Sequence, residues 1–381
     1  MRRVTLMALV AAIVATSAWT PTAQAQRTLS PQEERVRWMR ALEHPESAGS
    51  DRAWQAAAML GREDMSAEFD KKREQMNLPP LHAQTVCGPI IPGDPIAEIV
   101  RRARETSVVV ISEHHDDPRD RAFAARVVQA LRPEGYQIYA AEAFFSAVDG
   151  STTEPLMTDG YYTKEPAGGA ELALAKRLGY RLVAYDNTEP EERGKNLMAA
   201  FSNVWPKEKV IIHGGDAWER IKPDDATCCG MAEYVKQQTG IDPLTINQRD
   251  CISSTGSIVL ATGFDPAFPI RSEPYVGKPG PARSDLYVGK PPLTFKDGRP
   301  AWRQEAGQKP APVPASFLTA KEPIIVEARP ADASLLIVPT DRLYLKPGEK
   351  LPLLLPPGRY RVDAWTASDP LNSKPEIVTV Q

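Results

Sequence analysis

Glu113, His114, His115, Asp116 and Asp117 follow directly on an apolar run, Val108-Val-Val-Ile-Ser112. The chain has only 5 histidines, and two of them stand side by side here. A carboxylate and an imidazole in one short turn can do two kinds of chemistry. They can ligate a divalent cation, or the carboxylate can orient the ring so that it moves protons. Side chains alternate along an extended chain, so Glu113 and His115 share one face and His114 takes the other. Asp116 and Asp117 precede Pro118 and suit a helix start, where acids meet unpaired amides.

Further polar residues stand where other apolar runs end. Glu142 follows Tyr136–Ala141. Asp186 and Asn187 follow Tyr180–Tyr185. His213 closes Lys209–His213 and is followed by Gly214-Gly215-Asp216. Each alone reads as a cap or a core residue. Together they place acids and imidazoles at four successive run ends, which is where open parallel sheets bind ligands.

The elements that must carry these residues alternate. Strands are expected at Ser107–Ser112, Tyr136–Ala141, Tyr180–Tyr185, Lys209–His213 and Leu244–Ile246. Helices are expected at Pro118–Leu131, Gly169–Leu178, Glu191–Val204 and Met231–Gln238. Phe145–Gly160 reads as a loop. This order implies right-handed crossovers and an α/β fold with a largely parallel sheet and flanking helices.

Upstream, the pattern predicts an N-terminal helical arm over 26–90, with helices at Pro31–Leu42 and Met65–Met76, packed on the main domain. The α/β domain then spans 91–264. From 265 to 322 the chain is rich in proline and glycine, and Tyr-Val-Gly-Lys-Pro occurs twice, at Tyr275 and Tyr287. Two copies are too few for a solenoid. Residues 323–381 hold short β-like runs, Pro323–Val326, Ser334–Val338, Leu343–Leu345 and Tyr360–Trp365. The turns Lys346-Pro-Gly348 and Pro356-Pro-Gly358 separate them, so a small β-rich module is expected.

Residues 1–25 read as a signal peptide: Arg2 and Arg3, a short apolar stretch, then Ala23-Gln24-Ala25. The protein is therefore expected to be exported, to the periplasm or outside, with no transmembrane segment in the mature chain. Net charge is −3 over 381 residues with the signs interspersed, which argues against a nucleic-acid partner. Four cysteines, Cys87, Cys228, Cys229 and Cys251, suit disulfides in an exported protein. Adjacent cysteines rarely meet disulfide geometry, so one of Cys228 and Cys229 is expected to join Cys251 and the other Cys87.

Ser112-Glu113-His114-His115-Asp116 resembles the Gly-Glu-x-His-Asp signature of the ChaN/Tiki/erythromycin-esterase-like superfamily. The resemblance runs over about 100–250, through Ala141-Glu142-Ala-Phe144, Asp159-Gly-Tyr-Tyr-Thr-Lys-Glu-Pro166, Gly179-Tyr-Arg-Leu-Val-Ala-Tyr185 and Lys209-Val-Ile-Ile-His-Gly-Gly-Asp216. It implies an α/β core with two Glu/His motifs facing each other across the strand ends. The family includes haem-binding iron-uptake lipoproteins, metal-dependent proteases and macrolide esterases. Carried over, Glu113 and His115 match the first motif and Glu142 the acid after the second strand. Two departures stand out. Ser112 replaces the motif's glycine, and the family's second histidine falls on Trp218, which can neither ligate metal nor take up a proton. Asp216 is the better replacement.

Three functions compete. The first is binding of a small ligand, divalent metal or haem at the strand ends. Glu113, His115, Glu142 and Asp216 are then metal ligands, while Asp186, His213, Trp218, Tyr161 and Tyr162 line the ligand site. The second is hydrolysis, with Glu113 or His115 activating water, with or without metal. The third is a non-catalytic scaffold acting through its surface.

Overall fold

The computed structural model describes residues 29–45, 50–75, 85–145, 148, 150–186, 190–201, 208–215, 231–264, 284–368 and 374–381. Asp216, Trp218, Asn187, Cys228, Cys229, the first Tyr-Val-Gly-Lys-Pro copy and the signal-peptide region lie outside the described residues.

The first helices among the described residues are α1 (Pro31–Glu43), α2 (Ser50–Met59) and α3 (Glu63–Gln75). At the start of α1, the Ser30 hydroxyl accepts from the Glu33 amide and the Glu33 carboxylate accepts from the Ser30 amide, a reciprocal cap. Trp38, Met39, Leu42, Trp54 and Met59 pack on Ile325, Val338 and Tyr344. The arm therefore lies largely against the C-terminal sheet, where the sequence had suggested the main domain.

The main sheet is built from β1 (Ile90–Ile91), β2 (Val108–Ser112), β3 (Tyr136–Ala141), β4 (Arg181–Ala184), β5 (Lys209–Gly214), β6 (Leu244–Asn247), β7 (Val259–Ala261) and β8 (Leu286–Gly289). Their order is β1-β7-β8-β6-β2-β5-β3-β4. The run from β8 to β4 is parallel, and β7 and β1 close one edge antiparallel. Strand β8 comes from the second Tyr-Val-Gly-Lys-Pro copy, so the main sheet extends past residue 264.

Alternation along the strands sorts the core into two layers. Val109, Ile111, Tyr139, Ala141 and Ile211 face α4 (Pro95–Ala103), α5 (Pro118–Leu131) and α6 (Pro166–Arg177). Val108, Val110, Ile138, Ala140 and Ile212 face α7 (Pro190–Phe201) and α8 (Met231–Thr239). Asp117 caps α5 and Pro118 opens it. Glu165 caps α6 and Pro166 opens it. The chain leaves both helices through glycines with positive φ, Gly135 and Gly179, a conformation glycine adopts without steric cost.

At the C-terminus β9 (Phe295–Lys296) and β10 (Arg299–Pro300) form a hairpin, and β11 (Lys309–Ala311) pairs with β14 (Leu353–Leu355). A four-stranded antiparallel sheet follows the order β13-β12-β15-β16, from β12 (Ile324–Pro330), β13 (Asp341–Leu345), β15 (Gly358–Trp365) and β16 (Glu376–Val380). The expected strand at Ser334–Val338 is instead a turn, in which the Ile337 amide bonds the Ser334 carbonyl. Its apolar residues are used singly: Ile337 bridges Leu156, and Val338 packs into the arm's core.

The disulfide pairing also differs from expectation. Cys87 is bonded to Cys251, with Cα atoms 5.0 Å apart. The partners are brought together by the parallel bridge of Val86 to Ile252. Sequence spacing carries no trace of that pairing. Among the described residues no helix is long and apolar enough to cross a membrane.

Candidate active site

Odd-numbered positions of β2 and β5 and their neighbours on β3 face α5 and α6. Where the apolar side chains of that layer end, a polar cluster begins. Glu113 continues Val109 and Ile111. His213 continues Ile211. Arg121 comes down from α5 and Glu171 from α6.

Glu113 is the hub and is only 4% exposed. Its Oε1 lies 2.9 Å from His115 Nδ1 and 3.2 Å from Arg121 Nη2. Its Oε2 lies 3.2 Å from His213 Nε2. Burial pushes this carboxyl up, but Arg121, His213 and His115 outweigh it and hold it well below the usual carboxylate range. Glu113 is thus a fixed anion. His115 is held from three sides. Its Nδ1 is on Glu113, its ring stacks on Tyr162 with centroids 3.9 Å apart, and its carbonyl accepts from Arg121 Nη2 at 2.7 Å. That leaves Nε2 directed at Glu142, 3.9 Å from Oε1.

Glu142 is placed by β3 and by the turn after β5. The Gly215 amide donates to its Oε2 at 2.6 Å. Gly215 must be small here, since a Cβ at this position would come within 2.7 Å of His115 Nε2. Arg193 of α7 stands 3.7 Å from Glu142 Oε1, and its Nε lies 2.5 Å from Asp186. Asp186 therefore stands on the rim, linked to Glu142 through Arg193. Tyr161 points away from His115 and lines a groove along α1 with Val36 and Arg40. His114 takes the opposite face to His115, its amide donating to Asp120 Oδ2 at 2.7 Å.

His213 is buried and lines the cavity from the sheet side. Its Nδ1 is 3.1 Å from Glu171 Oε1 and 2.8 Å from the Tyr139 hydroxyl. Burial opposes its charge, but Glu171 and Glu113 outweigh that and push its pKa up to about 10.

Among the described residues the expected donors are already engaged with neighbouring groups, and Asp216, the fourth expected metal ligand, lies outside them. Both Glu113 oxygens are engaged, and the Arg121 guanidinium beside them repels a cation. Among the described residues no group of three or more His, Cys, Asp or Glu side chains is arranged to hold an ion. The cavity left between Glu113, His115, Glu142, Tyr162 and His213 is about 10 Å³. That is the room one water needs.

Three site residues escaped the sequence reading: Arg121, Glu171 and Tyr139. The available signal was phase. Arg121 lies on the helical face of Ala124 and Val128, and Glu171 on that of Ala175, so both are charges at core positions.

No family model and no curated protein matches the chain. Solved structures give distant likenesses. The type III effector HopBA1 aligns over 55% of this chain and 98% of its own at 14% identity and a TM-score of 0.34. RRSP, a MARTX toxin effector domain from Vibrio vulnificus CMCP6, aligns over 65% and 50% at 13% identity and a TM-score of 0.27. A structure of bacterial protein toxins aligns over 56% and 45% at 13% identity and a TM-score of 0.27. At scores this low the likeness says nothing about activity.

Proposed function

We propose that this protein is an exported hydrolase in which His115, oriented by Glu113, takes a proton from the attacking water. The observation that carries this reading is the two-sided environment of the His115 ring: Nδ1 on a buried carboxylate at 2.9 Å, Nε2 on a water-sized cavity walled by Glu142. An anion on Nδ1 fixes that nitrogen as the donor and leaves Nε2 basic, and it steadies the imidazolium once the proton arrives. Glu142, held by the Gly215 amide, accepts the water's other hydrogen and turns a lone pair outward. The resemblance to the ChaN/Tiki/erythromycin-esterase-like superfamily supports the same reading, because its esterase branch uses a first-motif histidine on water. The Cys87–Cys251 bond is compatible with export to an oxidising compartment.

The test is turnover of a panel of esters, lactones and peptides by protein purified from the periplasm, with elemental analysis alongside. Hydrolysis that His115→Asn abolishes supports the proposal. Absence of turnover over the panel, with a stoichiometric metal or haem that His115→Ala releases, would replace it with the binding reading.

A further inference from the structure

Behind Glu113 and His115 lies a second imidazole that the proton transfer above does not use. The His213 ring spans two carboxylates, with Nε2 3.2 Å from Glu113 Oε2 and Nδ1 3.1 Å from Glu171 Oε1. The Tyr139 hydroxyl closes the set, donating to that Glu171 oxygen at 2.5 Å and lying 2.8 Å from His213 Nδ1. Tyr139 sits on β3, His213 on β5 and Glu171 on α6, and all three are buried. A second hydroxyl, that of Tyr185, donates to the His213 carbonyl at 2.9 Å. Tyr139, His213 and Glu171 each stand on a regular element, which fixes their backbones.

We infer that His213, braced by Glu171 and Tyr139, is a positioning residue for His115: it occupies the second oxygen of Glu113, which holds the first oxygen on His115 Nδ1 and leaves Nε2 as the nitrogen facing the cavity. This rests on the proposed role of His115 and specifies which residue enforces it.

A carboxylate can rotate and offer either oxygen. Pinned at one oxygen by a sheet residue, it cannot. An aliphatic side chain in place of His213 would fill the space without burying three ionisable groups, which is costly unless each is paired. Here each stands within ion-pair distance of a partner: His213 Nε2 faces Glu113 and Nδ1 faces Glu171. Burial pushes the Tyr139 phenol up, and Glu171 beside it pushes the same way. Tyr139 therefore keeps its proton and supports Glu171 as a donor.

The experiment is nitrogen NMR of the full chain with ¹⁵N-labelled histidines, read at a pH where the His115 ring is neutral. Wild type is expected to show Nδ1 protonated and Nε2 bare. In His213→Leu the ratio of that tautomer to its alternative falls roughly tenfold or more, the worth of a charge-assisted hydrogen bond. His213→Gln, whose amide can still donate to Glu113, keeps the wild-type ratio. Circular dichroism confirms folding. Should the leucine variant not fold, Glu171→Gln supplies the reading, with a smaller loss in the same direction. A folded His213→Leu protein, or Glu171→Gln, with an unchanged His115 tautomer overturns the inference. No substrate is needed, so a chain that hydrolyses nothing can still pass, and an active hydrolase can still fail.

Discussion

Glu113 and His115 carry different burdens, and substitutions should separate them. The His115 side chain is 22% exposed, so His115→Asn is expected to cost roughly 1 kcal/mol or less while turnover collapses. Glu113→Gln should also lower turnover. It further leaves His213 and Arg121 buried against a neutral amide, so chemical denaturation should show a loss of about 3 kcal/mol. Gly215→Ala is the complementary probe. Its Cβ meets His115 Nε2 while the ring is trapped against Tyr162, so turnover should fall about 100-fold and stability by about 1–3 kcal/mol. The pH dependence follows from the same cluster. The folded pKa of His213 is raised, so its contribution is complete below 6.5 and is lost as pH climbs through about 10. Glu63, pushed up to about 7 by burial against the pull of Arg303 and Arg299, acts in the same sense. Glu113 is depressed, so its contribution is present above 4.5 and is lost as pH falls through its lowered value. Melting temperatures measured from pH 4 to pH 10 should therefore be highest in the mildly acidic range and decline on the alkaline side. Period-2 alternation was enough to join Glu113 to His115 and set His114 apart. It was not enough to find Arg121 or Glu171, because a single charge hardly disturbs the apolar phase of an amphipathic helix.

At the scale of elements, the segments that alternate cleanly were legible. Helix α5 and strand β3 have the bounds their sequences predict, because Asp117-Pro118 and Gly135 mark turns by their own local chemistry. Ser334–Val338 was misread because a β-branched, apolar composition does not distinguish a strand from a turn whose side chains are used one at a time. The Cys87–Cys251 pairing was misread because proximity of segments 164 residues apart is a tertiary fact. A bond closing so long a loop restricts the unfolded chain by about 5 kcal/mol in the entropic account. Replacing both cysteines by serine should thus lower the denaturation midpoint strongly, as measured in urea, while the folded protein keeps its far-ultraviolet spectrum. The join between α1 and β12 is a second such element. Arg35 lies 2.6 Å from Glu327, which also takes Arg329 at 2.9 Å and Arg342 at 2.7 Å. Those guanidiniums hold Glu327 well below the ordinary carboxylate range despite its burial. Glu327→Gln leaves three buried cations facing an amide and should cost about 3–5 kcal/mol, read from the same urea curves.

Over the whole molecule, the N-terminal helices, the parallel sheet and the C-terminal β-sheet are tied together near the site. Lys164, two residues from Tyr162, pairs with Glu34 of α1 at 2.6 Å, and its carbonyl accepts from Arg342 at 2.9 Å. The wall that stacks on His115 is therefore supported by both ends of the chain. An arm deleted through residue 75 should expose Ile325, Val338 and Tyr344, and should bind an apolar dye where the full chain does not. The central claim is that Glu113 and His115 act as one unit on water. The direct measurement is a double-mutant cycle on hydrolytic kcat/KM with His115→Asn, Glu113→Gln and the pair together. The account predicts that each single change costs about 10²–10⁴-fold and that the double variant is little worse than the poorer single one. Losses that multiply, or a His115→Asn protein that turns over like wild type, would contradict it.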